Sequence, residues 1–160
     1  MTDLALVPIG PGALALTHRP KRTALASWKA AGVTHVVTLL AEREGAHDIA
    51  AVVTRAGLDW IWVPIASAAV PDDGETQRLL PAIDQIAGVV RQGGHVVVHC
   101  SAGVHRTGMF GYALLRRLGL SADEARTKLG ELRAVTAEGV GDDRLRWGDR
   151  IAELPSLAMR

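Results

Sequence analysis

A single cysteine, Cys100, stands among the 160 residues, so no disulfide can form within the chain and packing alone must hold the fold. Aromatic residues are few, and although Trp28, Trp60, Trp62 and Trp147 invite a stacking platform for a base or aromatic ligand, core and rim packing is expected for each. Positive and negative side chains nearly cancel, 18 against 17. The formal net charge of +1 gives no global field toward nucleic acid or a membrane surface, and neither partner is expected. No apolar stretch approaches the roughly 18 residues of a membrane helix. Residues 4–16 are fairly apolar, but Pro8, Gly10, Pro11 and Gly12 interrupt them and no basic segment precedes them, which argues against a secretory leader. A cytoplasmic address is expected, and nothing in the sequence speaks to oligomeric state. With 48% hydrophobic residues and no linker or internal repeat, residues 1–160 are expected to form one domain with its own core.

What is present is concentrated in one run, His99-Cys100-Ser101-Ala102-Gly103-Val104-His105-Arg106-Thr107-Gly108, which follows the β-branched triplet Val96-Val97-Val98. The triplet reads as a central strand buried on both faces. Met109 to Leu118 reads as a helix with apolar residues at Phe110, Ala113, Leu114 and Leu118. The loop between them therefore sits at a helix N-terminus, where unpaired amides and the macrodipole favour an anion, and Gly103 lets the backbone curl around it. Ser101, Ala102, Gly103, Val104, His105 and Arg106 are the expected phosphate-binding positions. The same field favours thiolate over thiol at Cys100. Arg106 supplies a planar fork suited to two phosphate oxygens, which lysine cannot reproduce. Thr107 can steady the thiolate as a leaving group, and His99 is expected to order the loop by hydrogen bonding. His105 reads either as a solvated rim residue or as an imidazole able to bind substrate or assist proton transfer.

Strand and helix patterns alternate along the chain: strands near Ala5–Ile9, Ala13–Thr17, His35–Leu39, Asp59–Pro64 and His95–His99, and helices near Thr23–Ala31, His47–Ala56, Thr76–Arg91 and Thr107–Leu118. Ser121-Ala122-Asp123-Glu124 has the form of a capping box leading into a helix to Arg133, and a last helix is expected over Asp143–Glu153. Such alternation predicts an α/β fold, a single-domain sandwich in which helices flank a central, largely parallel β-sheet, with the nucleophile at a strand's carboxyl end.

The run His99-Cys100-x-x-Gly103-x-x-Arg106-Thr107-Gly108 resembles the signature of the protein tyrosine phosphatase superfamily, and the short chain resembles its small dual-specificity branch. Residues 32–40 resemble the family's helix-end-to-strand segment, and Trp62-Val63-Pro64-Ile65 resembles the strand leading to its general-acid loop; the similarity extends over residues near 10 to 135. The resemblance implies a phosphatase-like fold and a protein-tyrosine or dual-specificity phosphatase that hydrolyses phosphomonoesters through a phosphocysteine intermediate. It further implies that no metal or cofactor is needed, and that the substrate is a phosphorylated protein or a small phosphate ester.

Such a reaction needs a carboxylic acid to protonate the departing oxygen. Two registers are open. If residues 64–71 are matched to the dual-specificity loop, Ser67 stands where an aspartate is expected. If Val70-Pro71-Asp72-Asp73-Gly74 is matched to the tryptophan-proline-aspartate loop, Asp72 becomes the catalytic acid and Asp73 its neighbour. The same residues also read as a turn and acidic first turn of the following helix, where negative charge is favourable. Loss of the acid would leave a phosphoresidue-binding pseudophosphatase, and turnover separates the two. Arsenate reduction is disfavoured because that chemistry recruits further cysteines. Arg19, Lys21 and Arg22 read as a solvated loop or as flanks of the site's mouth.

Overall fold

A computed structural model describes residues 4–155. Its single sheet has the order β1-β2-β5-β3-β4, built from Val7–Ile9, Gly12–Thr17, His95–His99, His35–Thr38 and Asp59–Trp62 respectively. The first pair is antiparallel, a tight turn at Gly10; every other pairing is parallel, as between Ala15 and Val97 or Val36 and Val97. The α/β class, the flanking helices and the largely parallel sheet therefore agree with the sequence pattern.

The period of two along β5 distributes its valines between two cores. Val96 and Val98 join Leu14, Leu16 and Val37 beneath one set of helices: α3 (Asp73–Arg91), α4 (His105–Arg117), α5 (Ala122–Leu132) and α7 (Asp142–Ile151). Val97 joins Ala15 and Val36 beneath α1 (Ala24–Ala30) and α2 (Ala46–Arg55), which contribute Leu25, Trp28, Ile49 and Val53. Both faces are thus dry, which is why this strand reads as a continuous apolar run.

Several boundaries differ from expectation, each for a local reason. Helix α3 begins at Asp73, not Thr76, because Asp72 caps it by accepting the Glu75 amide at 2.8 Å. Helix α4 begins at His105, two residues early. A short helix α6 (Ala134–Gly139) and a 3-10 turn at Glu42–Glu44 were not anticipated, since pieces this short show no apolar periodicity. The capping box at Ser121 and Glu124 is formed. No helix among the described residues is long and apolar enough to cross a membrane.

Connectivity places the site. The chain leaves β5 toward α4 on one face and leaves the adjacent β3 toward α2 on the other, which opens a crevice at the carboxyl ends of the two strands. Cys100 follows β5 immediately, and Glu44 lies on the turn after β3.

Arg117 locks the far side of the helical layer, with a forked bond to Asp84 on α3 (2.8 and 2.8 Å) while the same guanidinium donates to the Ile151 carbonyl; its side chain is 5% exposed. Arg117→Ala leaves a largely buried carboxylate, 18% exposed, without its partner and is expected to lower unfolding stability by about 3 kcal/mol in urea titrations. Arg146→Ala, at an ion pair whose members are 59% and 78% exposed, should stay within about 0.5 kcal/mol of the parent.

Candidate active site

The loop 100–106 is shaped from outside by its carbonyls. Ser101 O accepts the Arg19 amide (2.9 Å), Ala102 O accepts Arg133 Nη1 (3.2 Å), and Gly103 O accepts both Arg133 Nη1 (2.9 Å) and Thr136 Oγ1. In a trans peptide unit the amide points away from the carbonyl, so these anchors turn the amides of Ala102, Gly103 and Val104 toward the loop's interior. Gly103 N–H donates to Cys100 Sγ at 3.3 Å, which fixes that direction directly. Gly103 has φ +75°, and a Cβ there would lie 2.4 Å from the Thr17 carbonyl oxygen. Glycine is required by both conformation and space. Arg133 and Thr136, on α6 and its cap, are functional residues that no motif in the sequence singled out.

Arg106 is the second fixed point. Its Nη1 donates to Glu44 Oε1 (2.8 Å) and to the Ile65 carbonyl (2.9 Å), and its Nη2 donates to Glu44 Oε2 (2.9 Å). A guanidinium has five N–H donors. The three bonds take both Nη1 hydrogens and one on Nη2, leaving Nε–H and the other Nη2–H side by side on one edge, a fork suited to two oxygens of an oxyanion. The bond from Arg106 holds the Glu44 carboxyl down at about 2, so it is a permanent anion. Glu44 thus orients Arg106 and cannot serve as a proton donor. No motif pointed to Glu44; its position just beyond the carboxyl end of the neighbouring strand was the available signal.

His99 ties the loop to the sheet. It is fully buried, with Nδ1 against the Cys100 carbonyl (3.1 Å) and Nε2 against Thr38 Oγ1 (2.8 Å), which in turn accepts Trp60 Nε1–H (2.8 Å). A carbonyl can only accept, so Nδ1 carries the proton and Nε2 accepts from Thr38. Burial pushes the imidazole down to about 4, with Arg19, His18 and Arg106 adding repulsion against its backbone bond to Cys100. The loop-ordering role expected for His99 is the one observed. Trp60 and Trp62 stack at 5.8 Å beside His47, while Trp147 is buried and bonded to Thr76; none lines the pocket at Cys100.

That pocket, about 230 Å3, is lined by Ala66, Ala68, Cys100, Ser101, Ala102, His105 and Arg106. Ala66 and Ala68, on either side of Ser67, line that pocket. Ser67 Oγ is engaged by the Ala69 amide at 3.0 Å. Asp72, expected as the acid, is not brought to the pocket: its carboxylate caps α3, and Asp73 opens that helix in solvent. The loop is also fastened, its carbonyls at Pro64, Ile65 and Ala68 accepting from Arg78, Arg106 and Arg144. Thr107 Oγ1 is buried and has no hydrogen-bond partner among the described residues, Cys100 included.

The family model described as PTP-SAK, the Swiss Army Knife protein DSP-PTPase phosphatase domain, matches residues 5–143. No curated relative matches the chain. Among solved structures, Tk-PTP in its active form shares 25% identity at a TM-score of 0.69, with 96% of this chain and 98% of that one covered. Kinase associated phosphatase with its catalytic site cysteine substituted by serine shares 15% at 0.67, covering 89% and 88%. TpbA of P. aeruginosa in complex with pTyr shares 23% at 0.58, covering 90% and 80%.

The buried His99 carries a testable signature. Its folded value of about 4 lies below the ordinary 6.5, so between these values the unfolded chain takes up a proton that the folded chain refuses. Its contribution is complete above about pH 6.5 and is lost as pH falls toward 4. His99→Asn should therefore flatten the fall of the urea midpoint over this window, whatever its effect on stability at neutral pH. An unchanged slope would count against a neutral buried imidazole.

Proposed function

We infer the reaction from one established premise: the chain belongs to the PTP-SAK family of dual-specificity-type phosphatase domains. We propose that it hydrolyses phosphomonoesters through a phosphocysteine intermediate. The observation that carries this reading is the remaining edge of Arg106, Nε–H and Nη2–H, with the guanidinium held beside the Cys100 sulfur, which also accepts the Gly103 amide. A phosphate gripped by that edge and by the amides of Ala102, Gly103 and Val104 presents its phosphorus to Cys100 Sγ, in line with the departing oxygen. The S–P bond forms as the P–O bond breaks. Water then attacks phosphorus, the S–P bond breaks, and inorganic phosphate leaves with the thiolate restored. Thr107 Oγ1, with no partner in the resting site, is the hydroxyl we assign to steady that thiolate.

The proton donor is reassigned. Among the side chains lining the pocket, His105 alone, apart from the nucleophile and Arg106, carries a titratable proton. It occupies the first turn of α4, a rigid element, beside the loop amides. We assign it to protonate the leaving oxygen in the first step and to take a proton from water in the second. Asp72 stays with the helix it caps.

For substrate, the shallow pocket with its Ala66 and Ala68 wall suits an exposed phosphoryl group on a protein side chain, phosphotyrosine first, the group with which TpbA was solved in complex. A small phosphate ester fits the same chemistry. The signature loop carries no lysine, which disfavours phosphoinositides.

Steady-state hydrolysis across leaving groups tests both steps. Cys100→Ser should abolish turnover of p-nitrophenyl phosphate, whose anion leaves without help. His105→Asn should spare much of that turnover but cut kcat for phenyl phosphate about a hundredfold, while Asp72→Asn, still an able cap, stays near the parent on both. Collapse in Asp72→Asn with His105→Asn intact would return the acid role to Asp72. Binding of phosphate analogues without turnover in reduced protein would leave a phosphate-binding module.

A further inference from the structure

Among the described residues, large apolar side chains are exposed at two positions, Val70 at 37% and Val135 at 52%. One exposed valine calls for no explanation. The placement of the two does, because each stands on a segment fastened to the phosphate loop. Val70 follows the residues that Arg106 holds through the Ile65 carbonyl and that line the reaction pocket with Ala66 and Ala68. Val135 lies on α6, which Thr136 fixes to the Gly103 carbonyl. The far end of α6 rests on the same loop, since a Cβ on Gly139 would stand 2.6 Å from Val104 Cγ1. Arg144 ties the two segments together, donating to the Ala68 carbonyl (2.6 Å) and to the Val140 carbonyl just past α6 (2.8 Å).

The surroundings of these valines are uncharged. Charged residues make up 22% of the chain, yet none falls within 60–71, 101–104 or 134–137. Ala66, Ala69, Ala102 and Ala134 are exposed on the same three segments and extend the apolar surface. An aliphatic group that covers such a surface releases water from both partners. A carboxylate brought against it gives up hydration and finds no cation on these segments to replace it.

Continuity with the reaction pocket identifies the occupant. A phosphotyrosine whose phosphoryl group is over Cys100 carries a neighbour on either side, at a Cα spacing of about 3.8 Å. The side chains of those neighbours are the groups that meet the mouth of the pocket. We propose that Val70 and Val135 are specificity-determining residues, forming with the exposed alanines an apolar rim for the residues that flank phosphotyrosine in a peptide substrate. The preferred substrates are then phosphotyrosine peptides with aliphatic, not acidic, neighbours. The proposal rests on the phosphatase reading for its chemistry, and it adds a sequence preference that the phosphate loop alone does not specify.

Three capped pentapeptides test it, each with a central phosphotyrosine flanked on both sides by leucine, by serine or by glutamate. With the full chain, kcat/KM for the leucine peptide should exceed that for the serine peptide about tenfold, with the glutamate peptide no better than serine. Val70→Ser combined with Val135→Ser should bring the leucine-to-serine ratio close to one. The ratio is internally controlled, since partial misfolding lowers both terms alike. Equal constants in the parent, a preference for glutamate, or a ratio that survives the double substitution would overturn the rim. If no peptide is hydrolysed, the phosphatase reading fails by itself, and calorimetric binding to the Cys100→Ser protein decides the rim. About tenfold tighter binding of the leucine peptide than of the serine peptide would uphold it, and equal binding would sink it. Octyl phosphate bound more tightly than the leucine peptide would overturn the peptide assignment in favour of a lipid-like ester.

Discussion

The forked bond between Glu44 and Arg106 is the constraint on which the site turns. It spans the crevice between the loop after β3 and the loop after β5, joining residues that are 62 positions apart in the chain. The arginine side chain is 12% exposed and the glutamate 28%, so neither charge is fully hydrated, and each would be costly without the other. What the pair contributes is direction more than stability. With its Nη1 end committed to Glu44 and Ile65, the guanidinium can offer only one edge to a ligand, and no rotamer search precedes phosphate binding. Glu44 also leaves the resting pocket less positive than its arginine suggests.

Rigidity is the theme of the surrounding shell. The phosphate loop is held by outward carbonyl bonds to Arg19, Arg133 and Thr136, and by His99 through Thr38 to Trp60 on the edge strand. Residues 64–68, which border the pocket, are fastened by three arginines from three helices. Sites built on fixed elements keep their geometry better than sites on loops. A proton donor at the start of α4 fits this arrangement, because it needs no loop closure to reach the pocket.

The fold was largely legible from local pattern. Alternating strand and helix periods, the valine triplet before Cys100 and the box at Ser121 and Glu124 each specified an element that the structure contains. So was the core of the site, because Cys100, Gly103 and Arg106 lie within one contiguous run and one loop brings them together. The rest was set by contacts between distant segments. Glu44, Arg133 and Thr136 reach the loop through tertiary structure and carry no spacing signature. Whether an aspartate faces the pocket or a helix end is likewise not a matter of local pattern, and the Glu75 amide holds the Asp72 carboxylate at the start of α3.

The central claim is covalent, and the most direct measurement is the mass of the protein itself. Protein quenched in denaturant within milliseconds of mixing with excess p-nitrophenyl phosphate, then digested and mapped, should carry one phosphoryl group, on the peptide containing Cys100, and none in Cys100→Ser. Turnover with the thiol unmodified throughout, or a phosphoryl group on another residue, would contradict the account.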